Sequence, residues 1–158
     1  AFRCRFNLSP MRREVCMDYV MCSGGFDPVH VGHLRMFVAA TYFGPVVVAL
    51  NSDAWLLRKK GYVCWPFEER RELLSALRSV TLVIRAEDDD GTVCTTIRDW
   101  RPRYFANGGD RTAAVGSLAE AELCSKLGVQ MLWGVGGPKV RSSSELRRCS
   151  LDNRNQTQ

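Results

Sequence analysis

Histidine is almost absent from this chain: its 158 residues contain only two, at positions 30 and 33. The seven cysteines, at 4, 16, 22, 64, 94, 124 and 149, form no C-x-x-C pair. Two imidazoles three residues apart cannot complete a zinc-finger ligand set with thiols spaced like that, so a structural zinc site is not expected. Acidic residues are outnumbered: 22 Lys and Arg against 17 Asp and Glu leave a formal charge of +5. That balance favours anionic ligands without choosing among nucleotides, nucleic acids and membranes. Long apolar runs are missing too. None approaches the roughly 18 residues that a membrane span requires, and the stretch AFRCRFNLSPMRREVC lacks the continuous apolar centre of a signal peptide. An odd number of scattered thiols, some inside apolar runs, suits free cysteines in a reducing compartment, so a cytoplasmic location is expected.

What is present is periodic. Apolar, β-rich runs recur at 19–22, 46–50, 81–84, 103–106 and 129–133, the composition expected of strands. Between them, segments 32–42, 67–78, 92–100 and 117–127 have helical spacing, the last two followed by Pro102 and Gly128 as stop signals. Strand and helix alternate, which predicts parallel strands joined by helical crossovers that bury both sheet faces. The expected fold is therefore α/β, a Rossmann-like three-layer sandwich with a five-stranded parallel sheet. One domain is expected over residues 17–150, with 1–16 as an N-terminal extension lacking either periodicity and 151–158 as a polar tail. In such sheets ligands settle beyond the carboxyl ends of the strands, so residues that follow a strand carry the chemical interest.

Both histidines fall there, in GGFDPVHVGH at 24–33. Gly24 and Gly25 allow a tight turn and close approach to a ligand, and the N–H groups beyond them can meet phosphate oxygens. His30 and His33 open the following helix, and their spacing sets both rings on one face with Gly32 leaving room between them.

This stretch strongly resembles the nucleotidyltransferase superfamily marked by H-x-G-H, in particular its glycerol-3-phosphate cytidylyltransferase and heptose-1-phosphate adenylyltransferase types. The resemblance implies that His30 and His33 contact a nucleoside triphosphate and stabilise charge as its α-phosphate is attacked. It implies nucleotide contacts for Gly24, Gly25, Phe26, Asp27 and Gly32, with Asp27 acting through a water. Asn51-Ser52-Asp53, Arg58-Lys59-Lys60-Gly61 and Pro66-Phe67-Glu68-Glu69-Arg70 are similar to the family's second block. There Lys59 and Lys60 are expected on a loop as phosphate-binding point charges, Lys60 with the catalytic groups and Lys59 toward the acceptor. The Pro66 block reads as helix initiation. Arg78, at the expected end of that helix, matches an acceptor-site arginine, although the acidic position beside it has become Thr81. Asn107-Gly108-Gly109-Asp110-Arg111 is similar to the K-G-G-D loop beside the nucleotide, with Asn107 where heptose-type enzymes carry lysine. Asp110 can accept from ribose hydroxyls or a base amine. Arg141-Ser142-Ser143-Ser144 resembles the terminal I-S-[ST]-T signature, with three hydroxyls at a helix start for capping and for the outer phosphates.

The implied reaction is transfer of CMP or AMP from a nucleoside triphosphate to a phosphorylated sugar or polyol, with release of pyrophosphate. Mg²⁺ is the expected cofactor, bridging phosphates through water and substrate oxygens, and no protein metal site is expected. A homodimer is implied by the resemblance. The alternative is a regulatory protein that binds nucleotide without transfer. Nucleic-acid binding is set aside because Arg101, Arg103 and Arg111 lack interleaved aromatic platforms.

Overall fold

In the computed structural model, which describes residues 17–88, 90–109, 118–138 and 141–146, the five apolar runs become five parallel strands. These are β1 (Met17–Gly24), β2 (Val46–Leu50), β3 (Leu82–Arg85), β4 (Pro102–Gly108) and β5 (Gln130–Val135), in the order β3-β2-β1-β4-β5. The helices are α1 (Val31–Ala40), α2 (Asp53–Lys60), α3 (Phe67–Ser75), α4 (Cys94–Trp100) and α5 (Leu118–Leu127), with a short 3-10 turn at Thr41–Phe43. The expected Rossmann-like sandwich is thus the fold observed. The ranges 1–16 and 151–158, read as an arm and a tail, lie outside the described residues.

Side-chain alternation sorts the core into two halves. Val20, Cys22, Val46, Val48 and Leu50 face Phe37, Ala40 and Leu74 of α1 and α3. Met21, Val47, Ala49 and Phe105 face Ile97 of α4 and Cys124 of α5. A strand buried on both faces needs no polar alternation, which is why β2 reads as an unbroken apolar run. Each fully enclosed Leu or Phe in these layers contributes about 1.5–3 kcal/mol. No helix among the described residues is long and apolar enough to cross a membrane.

Two elements depart from the sequence pattern. Helix α3 stops at Ser75 rather than at 78, because the Leu77 N–H turns to the Leu74 carbonyl (3.2 Å) in a three-residue closure that ends the α ladder. Helix α2 occupies a segment expected to be a loop. Ser52 caps it by accepting from Trp55 N–H (3.2 Å), and Gly61 at φ 76° closes it. Lys59 and Lys60 therefore project from the last turn of a helix, where their charge also complements the dipole.

Among the described residues, the thiols Cys22, Cys94 and Cys124 are free. Burial holds the Cys22 thiol up at about 12 from an ordinary 9.0. Burial, with Glu120 and Cys94 adding to it, does the same to Cys124, also to about 12. A thiol more acidic in the unfolded chain favours folding below pH 9 and loses that contribution as pH rises from 9 toward 12. Stability followed by circular dichroism is therefore expected to fall across that window. Iodoacetamide at pH 8, read by mass spectrometry, is expected to modify exposed Cys64 while sparing Cys22 and Cys124 in the folded protein; early labelling of Cys22 contradicts this.

Candidate functional site

The chain runs β1, β2, β3 to one side and then returns to place β4 on the other side of β1. Strand order reverses there, and the crevice over the carboxyl ends of β1 and β4 is where α/β sheets bind ligands. A cavity of about 460 Å³ opens at that point. Its walls come from the turn after β1, the start of α1, the last turn of α2, the ends of β4 and β5, and segment 141–144.

The two histidines form the opening of α1. His30 is the N-cap, its Nδ1 accepting from Gly32 N–H (3.1 Å), while His33 Nδ1 accepts from the His30 N–H (3.3 Å). The rings stack with centroids 3.7 Å apart. An Nδ1 that accepts carries no hydrogen, so the N–H of each neutral ring sits on Nε2. The capping bonds thus fix ring orientation and tautomer together, and both rings line the cavity. The helix terminus adds its own positive end.

Other expected residues have roles that only the packing reveals. Phe26, at φ 46° and nearly buried, meets His33 edge-to-face at 4.9 Å and Phe37 at 5.2 Å. It steadies the His33 ring from behind as well as bordering the cavity. Asp27 is fully buried, and its carboxylate accepts from Cys64 N–H (2.7 Å) and Trp65 N–H (2.8 Å). Each oxygen thus holds one amide of the 64–65 backbone, and Asp27 itself is not at the cavity wall, so the role the structure shows for it is a structural one. Lys60 reaches the cavity and donates to the Asp27 carbonyl (3.3 Å). Lys59 also lines it, with Nζ 4.4 Å above the Trp55 ring. Gly24, Gly25 and Gly32 are at the wall as expected.

The serine segment closes over the same turn. Ser142 and Glu145 form a reciprocal capping box, Ser142 N–H to Glu145 Oε2 (2.8 Å) and Glu145 N–H to Ser142 Oγ (3.2 Å). Ser143 Oγ donates to the Pro28 carbonyl (2.9 Å). Having one proton, that hydroxyl can accept from a ligand but not donate to a phosphate while this bond holds. Ser144 lies 3.5 Å from Tyr62 Oη, and Arg141 is exposed at the rim. Imidazole and hydroxyl segments more than a hundred residues apart thus border one cavity.

Two expected residues do not join this cluster. Arg78 sits exposed on the turn ahead of β3. In an all-parallel sheet that turn lies at the amino edge, opposite the cavity, so the position expected to touch the acceptor faces elsewhere. Asp110 lies outside the described residues, although Gly108 and Gly109 before it border the cavity.

Sequence reasoning missed Arg70 as a keystone. Fully buried, it donates from Nη1 to the carbonyls of Gly25 (2.6 Å) and Asn51 (3.0 Å) and from Nε to that of Trp65 (2.9 Å), and it pairs with Asp53. Asp53 also accepts from Phe67 N–H (3.1 Å) at the start of α3. One side chain therefore joins the turns after β1 and β2 to the segment that Asp27 holds. Phe67, Arg70 and Leu74, all buried, share one face of α3. An arginine in an apolar stripe was the available signal.

Gly136 is a second such position, with φ 89°, where an added Cβ would lie 2.6 Å from the Met36 main-chain nitrogen on α1. Gly136→Ala must therefore push α1 away from β5, and His33 stands one turn from Met36. A fall of about 1–3 kcal/mol in stability is expected, together with reduced turnover. Thermal melts and pyrophosphate release check it, and an unchanged melt contradicts the close approach.

Among the described residues no Asp or Glu lines the cavity, and no cluster of three or more potential metal ligands occurs. Imidazoles, ammonium groups, amides and hydroxyls suit phosphate oxygens; they do not form a cage for a hard cation.

Comparison with known proteins agrees with this geometry. The profile of the family described as cytidylyltransferase-like matches residues 21–148. The bifunctional protein HldE of Sulfurimonas denitrificans is 40% identical over 102 residues, 62% of this chain and 21% of that protein. HldE of Geobacter sulfurreducens is 38% identical over 97 residues, 59% of this chain and 19% of that one. The chain thus spans about a fifth of the length of the curated relatives it matches. The crystal structure of a lipopolysaccharide core biosynthesis protein from Thermoplasma volcanium superposes with a TM-score of 0.60 at 26% identity, covering 73% of this chain and 93% of that one.

Proposed function

The chain belongs to the cytidylyltransferase-like family, and from that membership and the cavity we infer a nucleotidyltransferase that moves CMP or AMP from a nucleoside triphosphate to a phosphorylated sugar or polyol. The observation that carries this reading is the pair of stacked imidazoles, each held at Nδ1 by a backbone amide, at the cavity wall where α1 begins. A phosphate oxygen of the acceptor attacks the α-phosphorus, a new P–O bond forms, and the bond to the β-phosphate oxygen breaks to release pyrophosphate. No covalent enzyme intermediate is needed, because phosphoryl-type transfer depends on positioning and on neutralising charge. The Nε2–H groups of His30 and His33 donate to α-phosphate oxygens as charge moves onto the leaving pyrophosphate. Lys60 and Arg141 hold the outer phosphates, Ser142 and Ser144 border them, and Lys59 stands nearest the acceptor. Mg²⁺ bound to the triphosphate would supply charge neutralisation, with ligands drawn from phosphate oxygens and water.

The test has two stages. A thermal-shift screen with ATP, CTP, GTP, UTP and Mg²⁺ identifies the nucleotide by a rise in melting temperature. Pyrophosphate release is then measured with that nucleotide against glycerol 3-phosphate and a series of sugar phosphates that includes a heptose 1-phosphate. Product from one pair is the expected result. A nucleotide that binds tightly yet yields no product with any acceptor would favour the regulatory alternative, and no shift with any triphosphate would overturn both.

A further inference from the structure

We propose that Asn107 reads the uncharged part of a substrate, its side-chain amide donating to a hydroxyl or carbonyl oxygen on the floor of the cavity. This rests on the nucleotidyltransferase reading above and assigns a specificity residue within the same site. Asn107, the next-to-last residue of β4, is 5% exposed and borders the cavity, yet its Nδ2 is buried with no hydrogen-bond partner. A buried amide N–H without a partner is rare in folded proteins and costs its full desolvation with nothing in return. The other such atom among the described residues, Ser79 Oγ, lies before β3 and does not border the cavity.

The surroundings indicate what the amide binds. The described cations at the wall, Lys59, Lys60 and Arg141, come from α2 and segment 141–144. The ends of β1, β4 and β5 bring only neutral groups there, including Ser23, next in register beside Asn107. Phosphates gain most at the cationic end, and a neutral amide beside glycine backbone suits a sugar hydroxyl or a base carbonyl. The local backbone is also irregular. Between Ala106 and Gly108, β5 carries one more residue than β4, with Gly134 at φ 67°. Such bulges re-aim side chains beside binding sites. A terminal amide turns readily about χ2, so the N–H can swing toward an arriving oxygen.

The neutral oxygen could belong to the nucleoside of the triphosphate or to the sugar or polyol of the acceptor. Asn107→Leu and Asn107→Ala in the full chain separate these. Calorimetric Kd values for Mg-ATP and Mg-CTP report the first source, and KM for the best phosphorylated acceptor of the panel reports the second. One arm is expected to weaken by about 10-fold, the loss of one hydrogen bond. Because leucine removes the unpartnered amide, the free Asn107→Leu protein is expected to melt higher, by about 2–4 °C. Asn107→Ala cannot overpack and gives the same binding readout if the leucine form fails to fold. A leucine form that melts below wild type reports overpacking at this buried position, and the alanine form then decides; the inference is overturned if neither arm weakens in a folded variant. Wild-type protein that binds neither triphosphate would instead sink the functional reading beneath it.

Discussion

His33→Ala is expected to cut turnover by about 100-fold or more while the protein stays folded, the scale of losing a donor that acts in the transition state. Two separate jobs meet on this ring. Its Nδ1 accepts the His30 N–H at the start of α1, and its Nε2–H is the end assigned to the α-phosphate. Loss of the first is a capping defect of about 1 kcal/mol, a few degrees of melting temperature in a chain of this size. Asn at this position separates the two. Its carboxamide oxygen can replace Nδ1 as acceptor, but nothing replaces the Nε2 donor, so His33→Asn is expected to recover melting temperature and not turnover. Steady-state pyrophosphate release with the best substrate pair, beside a thermal melt, reads both. Turnover within a few-fold of wild type in either variant would refute the assigned role.

Arg70→Ala is expected to be the most destabilising substitution in the vicinity of the site, although Arg70 does not border the cavity. Its guanidinium satisfies three main-chain carbonyls and one carboxylate from positions fully out of solvent. Truncation leaves the Gly25, Asn51 and Trp65 carbonyls without their donor, and breaking a buried charged network costs about 3–5 kcal/mol. The Asp53 side chain is 40% exposed, so the ion pair is screened, and most of the loss comes from the carbonyls. A drop in melting temperature on the order of 10 °C follows. Arg70→Lys keeps the charge but not the planar fork, so it cannot meet all four acceptors and is expected to fall between wild type and alanine. A melt of Arg70→Ala matching wild type would show that the turns after β1 and β2 hold themselves without it.

Much of the site is legible in the chain because the relevant signals are local. Five β-rich runs alternating with helical spacing lead to a parallel sheet, and a Gly-Gly turn followed by H-x-G-H places imidazoles at a helix start. The serine block is legible as a cap for the same reason: Ser142 and Glu145 lie three residues apart and bond reciprocally. Helix α2 was missed because its two buried residues, Trp55 and Leu56, are adjacent and give no amphipathic period. Its punctuation, Ser52 before and Gly61 after, was present in the sequence.

The residues whose roles moved are those whose partners are far away along the chain. Asp27 is held by Cys64 and Trp65, Ser143 by Pro28, and Arg70 by Gly25, Asn51 and Asp53. Arg78 left the site because it precedes a strand, and in a parallel sheet that puts it at the other edge. By itself the sequence determined the layers, the strand count and the two segments that carry imidazoles and hydroxyls, since periodicity and capping act within a few residues. Only the tertiary structure decided which polar groups face the cavity and which are consumed in building it, because a hydrogen bond depends on a distance and a direction that closure of the sheet alone sets.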